Sequence, residues 1–176
     1  MRAYFFGNMY LSSIQQGIQA LHCTSEMFVK YTDAIDHSPV QDILYGWAED
    51  HKTVVLLNAG YSSTIRDIQA FMMDNDNQYP WAVFHEGEDA LDGALTCLGI
   101  ILPEKIYEAS RIVRTFRKSF VGDRSPREEI WEDGSLTLRK EDEYLHGVEM
   151  DEDFTWVYNK WEAKLIDELN KYGLAK

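Results

Sequence analysis

The chain has 176 residues, a formal net charge of −13, 45% hydrophobic residues and 13% aromatic residues. This is the composition of a folded globular protein rather than a disordered one, and no apolar run of about 18 residues offers a membrane span. The charge argues against general nucleic-acid binding, because phosphate contacts need Lys and Arg to displace condensed counterions.

In chain order, Ala3, Tyr4, Phe5 and Phe6 form an apolar aromatic run that breaks at Gly7-Asn8, which predicts a strand and a tight loop. A first helix is expected from Ser13, with Gln16 three residues later completing a capping box and with Ile14, Ile18, Leu21 and Phe28 as its buried face. After a turn at His37-Ser38-Pro39, Pro39 suits the first turn of a second helix through Val40, Ile43, Leu44 and Trp47, ending near His51. Residues 52–59 hold Thr53-Val54-Val55-Leu56-Leu57, which predicts a strand buried on both faces of a largely parallel sheet.

Ile65, Ile68, Phe71 and Met72 then recur at helical spacing over residues 64–73. Residues 79–84 and 95–102 read as strands, separated by a polar turn or short helix. The first 103 residues thus predict an α/β core: a small mixed, largely parallel four-stranded sheet flanked by helices. Residues 104–176 are expected as a C-terminal helical elaboration packed on that core. It would comprise a basic helix to about Phe120, a strand around Leu136, an acidic loop at residues 141–153, and a terminal helix over residues 154–172 with Asp151, Glu152 and Asp153 near its start.

Charge is unevenly distributed. Residues 1–103 hold 4 basic against 13 acidic side chains, residues 104–127 hold 7 against 3, and residues 128–153 hold 2 against 11. Arg111, Arg114 and Lys118 would share one side of the basic helix, as a solvated face or a phosphate-binding stripe. Cys23 and Cys97 lack CxxC companions and are expected as buried free thiols of a reducing cytoplasm, and residues 1–6 lack the pattern of a secretory leader. His85 and Glu86 with Glu88, Asp89 and Asp92 have metal-compatible chemistry but no recognised ligand spacing, so neither a metal nor a cofactor is expected.

Four features in order carry a family likeness: Gln19-Ala20-Leu21-His22 on the first helix; Trp47 ahead of the strand beginning at Lys52; the third helix; and His85-Glu86-Gly87 followed by Thr96-Cys97-Leu98-Gly99-Ile100. Together they resemble the type II peptidyl-tRNA hydrolase family over the first 103 residues. The resemblance implies cleavage of an ester between a peptide and a tRNA ribose, or of a related nucleotide ester. It implies His22, Gln19 and His85 as catalytic residues and Gln15, Gln16 and Thr96 as substrate contacts, with a tRNA or nucleotide ligand and a homodimer; Arg111, Arg114 and Lys118, beyond the matched segment, would by their charge hold the phosphates. For His22 a helix-packing role is the plain alternative, and the glutamines are also ordinary helix formers.

The sequence departs from the family at the helix lysine, where Gln15 stands, and at the Asp-Ala-Gly acid, which aligns with His85. The basic, hydroxyl-bearing loop is replaced by Glu88-Asp89-Ala90-Leu91-Asp92-Gly93. Two other functions therefore stand beside hydrolysis. One is a non-catalytic acidic protein, of the phage-accessory or nucleic-acid-mimic kind, binding a basic protein through residues 128–153. The other is a pocket that sequesters a nucleotide.

Overall fold

β1 (Arg2–Gly7) is the central strand of a five-stranded sheet whose order is β3-β4-β1-β2-β8. The computed structural model describes residues 1–32, 38–119, 128–130, 136–138 and 156–175. From β1 the chain passes through α1 (Ser13–Thr32), α2 (Pro39–Gly46) and a π-helical turn (Trp47–His51) into β2 (Val54–Asn58). It continues through α3 (Ser62–Met72), β3 (Trp81–His85), the short α4 (Glu88–Leu91) and β4 (Leu95–Leu102). β4 contributes eight consecutive buried residues to the middle of the sheet.

The sheet has five strands, not four, and is mostly antiparallel. β1 and β2 are parallel, whereas β1–β4, β3–β4 and β2–β8 are antiparallel. The physical reason is connection length. A parallel neighbour needs a crossover of a dozen or more residues, which α1 and α2 supply between β1 and β2, whereas the short link through α4 returns β4 alongside β3 as a hairpin does. β2 is also less buried than its aliphatic run implies, with Val54 49% exposed. β8 (Gly173–Leu174) covers its outer edge only at Leu57 and Asn58.

Residues alternate across the sheet. Ala3, Phe5, Ala82, Cys97 and Ile101 pack with Ala20, Cys23 and Met27 of α1 and with Leu44 and Trp47. Trp47 adds a hydrogen bond from its indole N–H to the Thr53 carbonyl at 3.0 Å. α3 lies against β4 and buries Ile65, Ile68 and Met72.

α1 departs most from expectation. Its cap is Ser12, not Ser13: the Gln15 N–H donates to Ser12 Oγ at 3.3 Å and the Ser12 N–H donates to Gln15 Oε1 at 2.9 Å. The buried positions are Gln16, Gln19, Ala20, Cys23 and Met27, whereas Ile14, Ile18 and Leu21 are exposed and Phe28 is half-buried.

The described residues divide into two units: Met1–Glu104 with Tyr172–Lys176, and Lys105–Lys171. The second holds most of α5 (Glu104–Ser119), a three-stranded antiparallel sheet of β5 (Glu128–Ile130), β6 (Leu136–Leu138) and β7 (Trp156–Tyr158), and α6 (Lys160–Lys171). The terminal helix is thus shorter than expected, because residues 156–158 pair as a strand. Its start is set by a capping box in which the Glu162 N–H donates to Asn159 Oδ1 and the Asn159 N–H donates to Glu162 Oε2. The Tyr158 hydroxyl donates to the Lys105 carbonyl, and Lys105 pairs with Glu162 at 2.7 Å. The acidic loop at residues 141–153 lies outside the described residues, as does most of the acidic block around it.

Two predictions follow from this packing. A Cβ on Gly99 would sit 2.5 Å from both the Met27 Cε and a Phe5 ring carbon, so Gly99→Ala is expected to cost about 1–3 kcal/mol by overpacking, read from denaturant midpoints. Cys23 and Cys97 are both buried and free. Interaction with the Cys23 thiol, followed by burial, pushes the Cys97 thiol well above its ordinary range. A thiol-specific disulfide reagent is therefore expected to label neither cysteine in the native protein and both after unfolding.

Candidate functional site

The carboxyl ends of β1 and β2 point the same way, and β3 ends and β4 begins beside them. Both chains leaving the parallel pair turn here into helices, β1 through residues 8–12 to α1 and β2 through residues 59–61 to α3. In sheets with parallel pairs this end is where ligands are commonly held.

Asn8 ties the loops together. It is buried, with its N–H on the Thr96 carbonyl at 3.1 Å. Its side chain accepts from the Tyr10 N–H at 3.1 Å and donates to Ser62 Oγ at 3.0 Å, and Ser62 in turn donates to the Leu95 carbonyl. Gly60, at φ +78°, bends the neighbouring loop so that its carbonyl accepts from the Met9 N–H at 2.8 Å. Gly7 is needed for a different reason: a Cβ there would stand 3.2 Å from Gln16 Oε1.

Two buried amides of α1 face this end. Gln16 donates to the Leu11 carbonyl at 3.0 Å, while its Oε1 is buried without a hydrogen-bond partner. Gln19 is held on both sides: Thr96 Oγ1 lies 3.4 Å from its Oε1, and its Nε2 donates to Glu86 Oε1. A carboxylate only accepts, so the direction runs from the Thr96 hydroxyl through the Gln19 amide to the Glu86 carboxylate. The β3–β4 ladder explains Thr96. Phe84 pairs with Cys97 but His85 pairs with Leu95, which leaves Thr96 as the extra residue of a bulge and re-aims its side chain.

Glu86 is the partner missing from the sequence-based site. Ala82 packs in the α1-side core with Phe84 against it, and alternation carries the same face on to Glu86 rather than His85. His85 instead lies exposed, with Nδ1 3.1 Å from the Gly93 carbonyl. His22 is exposed and stacked on Phe84, with ring centroids 4.6 Å apart and planes 17° from parallel.

The structure therefore brings Gln16, Gln19 and Thr96 to one end of the sheet, places Glu86 among them, and sets His22 on Phe84 alongside. Gln15 spends its side-chain oxygen on the cap. Arg111 belongs to the second unit, where it pairs with Glu108 at 2.7 Å. Arg114 and Lys118 lie on the same helix, and their side chains fall outside the described residues. Among the described residues no cluster of three His, Cys, Asp or Glu is placed to hold a metal, and no helix is long and apolar enough to cross a membrane.

Comparison of the sequence with protein-family models and with curated proteins returns no match.

The Thr96–Gln19–Glu86 chain makes a specific prediction. Thr96→Val removes the hydroxyl that orients the buried amide and is expected to lower stability by about 1 kcal/mol, while Thr96→Ser, which keeps the oxygen, stays close to the parent in urea unfolding.

Proposed function

We propose that the chain is a divergent relative of the type II peptidyl-tRNA hydrolases, and that the loop end of its sheet hydrolyses an ester carried on tRNA or a related nucleotide. The observation that carries this reading is the oriented Glu86 carboxylate. Gln19 occupies one of its oxygens and leaves the other to take a proton from water. That water's oxygen would bond to the ester carbonyl carbon, giving a tetrahedral oxyanion. Collapse breaks the bond to the ribose oxygen, which recovers the proton from Glu86.

The surroundings suit the remaining tasks. The His22–Phe84 stack offers an exposed planar surface for a base or an aromatic side chain. α3 begins at the same end with no side-chain cap on its first turn, where backbone N–H groups favour an anion. Glu86 stands one residue beyond the position that the family's acid would occupy, and it would take over that acid's role.

A second reading rests on Glu88, Asp89 and Asp92, three exposed acids in the loop that follows Glu86. They oppose a phosphate and favour a basic protein surface, in which case the module binds without catalysing.

Release of free tRNA from an N-blocked aminoacyl-tRNA by the full-length protein separates the two. Under the hydrolase reading the parent protein turns over, Glu86→Gln lowers kcat at least about 100-fold with little change in melting temperature, and His22→Ala mainly raises KM. An absence of turnover by the parent protein, or a Glu86→Gln variant as active as the parent, would overturn it. Salt-sensitive capture of a basic polypeptide, lost on Glu88→Gln/Asp89→Asn/Asp92→Asn, would then support the binding reading.

A further inference from the structure

β3 is an edge strand of the five-stranded sheet, and it runs straight into Glu86. Its register says which backbone groups face outward. The Ile101 N–H donates to the Pro80 carbonyl at 3.0 Å and the Glu86 N–H to the Ala94 carbonyl at 3.0 Å, so Pro80, Ala82, Phe84 and Glu86 are the residues that bond the β4 side. Trp81, Val83 and His85 therefore aim their backbone N–H and C=O groups away from β4. Those of Trp81 are occupied: its N–H donates to the Tyr31 hydroxyl at 3.3 Å, and its carbonyl accepts from Lys30 Nζ at 3.1 Å. Among the described residues, none bonds the outward backbone groups of half-buried Val83 or exposed His85.

Natural sheets block their edges with charge, proline or cover. Here Lys30 and Tyr31 block Trp81, and the edge stays open from Val83 to the candidate site. An open edge is recognised by another extended backbone, which supplies the missing hydrogen bonds. Of the two halves of an ester between a peptide and a ribose, only the peptide has such a backbone. The Glu86 carboxylate, at the end of the open stretch, is where its ester carbonyl would lie.

We propose that the open edge of β3 is the subsite for the peptide half of the substrate, which adds to the sheet as a short parallel strand. This rests on the hydrolase reading above and assigns a place to one half of its substrate. With the esterified residue opposite Glu86, the residue opposite Phe84 is the third from the ester. In a parallel ladder its N–H donates to the Val83 carbonyl and its carbonyl accepts from the His85 N–H. Its side chain falls on the Phe84 face of the sheet, beside the ring that stacks on His22, so an apolar or aromatic residue is favoured there.

Two measurements on the full chain test this. When an N-acetyl tripeptide N-methylamide is titrated into isotope-labelled protein, the His85 N–H resonance should shift and its hydrogen exchange should slow. Val83→Pro, whose ring stands in front of the edge without removing a bond to β4, should abolish both effects. In hydrolysis, kcat/KM should rise roughly ten-fold from N-acetylaminoacyl-tRNA to N-acetyltripeptidyl-tRNA, and methylating the amide nitrogen of the third residue should remove that rise. An unshifted His85 amide, or turnover that is indifferent to peptide length or to the methyl group, would overturn the proposal and leave the hydrolase reading standing. A shifted amide without turnover would support the peptide subsite and sink the hydrolase reading. Slow exchange at His85 that grows with protein concentration in the absence of peptide would assign the edge to a second copy and overturn the proposal.

Discussion

The rotational setting of α1 about its own axis is the constraint on which the rest of the first unit depends. Ser12 and Gln15 fix where the helix starts, and its packing turns Gln16 and Gln19 into the sheet. Buried amides are tolerated only when their hydrogen bonds are satisfied. Leu11 takes the Gln16 amide nitrogen and Thr96 and Glu86 hold both ends of the Gln19 amide, while Gln16 Oε1 is left without a hydrogen-bond partner; the loop after β1, the bulge in β4 and the end of β3 are organised around these two side chains. One turn further along, Cys23 donates to the Ala82 carbonyl, and two turns along, Met27 fills the gap that Gly99 leaves open beside Phe5. The same setting sends Ile14, Ile18 and Leu21 outward. The polar end of the sheet and the apolar outer face are two consequences of one helix register.

Much of this architecture was legible in the sequence. The order of strands and helices through residue 103, Pro39 opening α2, and the inward positions Ile65, Ile68 and Met72 of α3 all follow from periodicity and punctuation. α1 did not, because Ser12 and Ser13 each have a glutamine three residues later. The sequence therefore contains two capping boxes one residue apart, and a preference for burying Ile and Leu selects the wrong one. The burial of β2 was misread for a similar reason. The aliphatic run around Val54 suggests cover on both sides, yet the sheet edge there is completed only by the two-residue β8. At the C-terminal end, Trp156 to Tyr158 fit a helical apolar stripe as well as a strand, and the Asn159–Glu162 box that decides the matter has an acidic alternative just upstream.

The candidate site was half legible. Gln19 and Thr96 were named from the sequence, and they meet in space through a bulge that no local pattern announces. Glu86 was within reach of simple alternation from Ala82 and Phe84, but the adjacent His85 is the residue that looks chemically active. Facing the other way, His85 braces its own loop through Gly93. The electrostatics of the site are unusual for a nucleotide ligand. A carboxylate oriented by neutral donors is followed by three exposed acids, so affinity for a phosphate would have to come from helix starts and stacking rather than from cations near Glu86.

The claim that α1 is docked through its amides, with Gln19 coupled to Glu86, is tested most directly by a double-mutant cycle on stability. Gln19→Leu, Glu86→Leu and the double variant would be compared with the parent by urea unfolding. The account predicts a coupling of about 1–2 kcal/mol, as for a partly buried hydrogen bond to a charged acceptor. Additivity within about 0.5 kcal/mol would show that the two side chains do not meet, and with that the register of α1 would have to be abandoned.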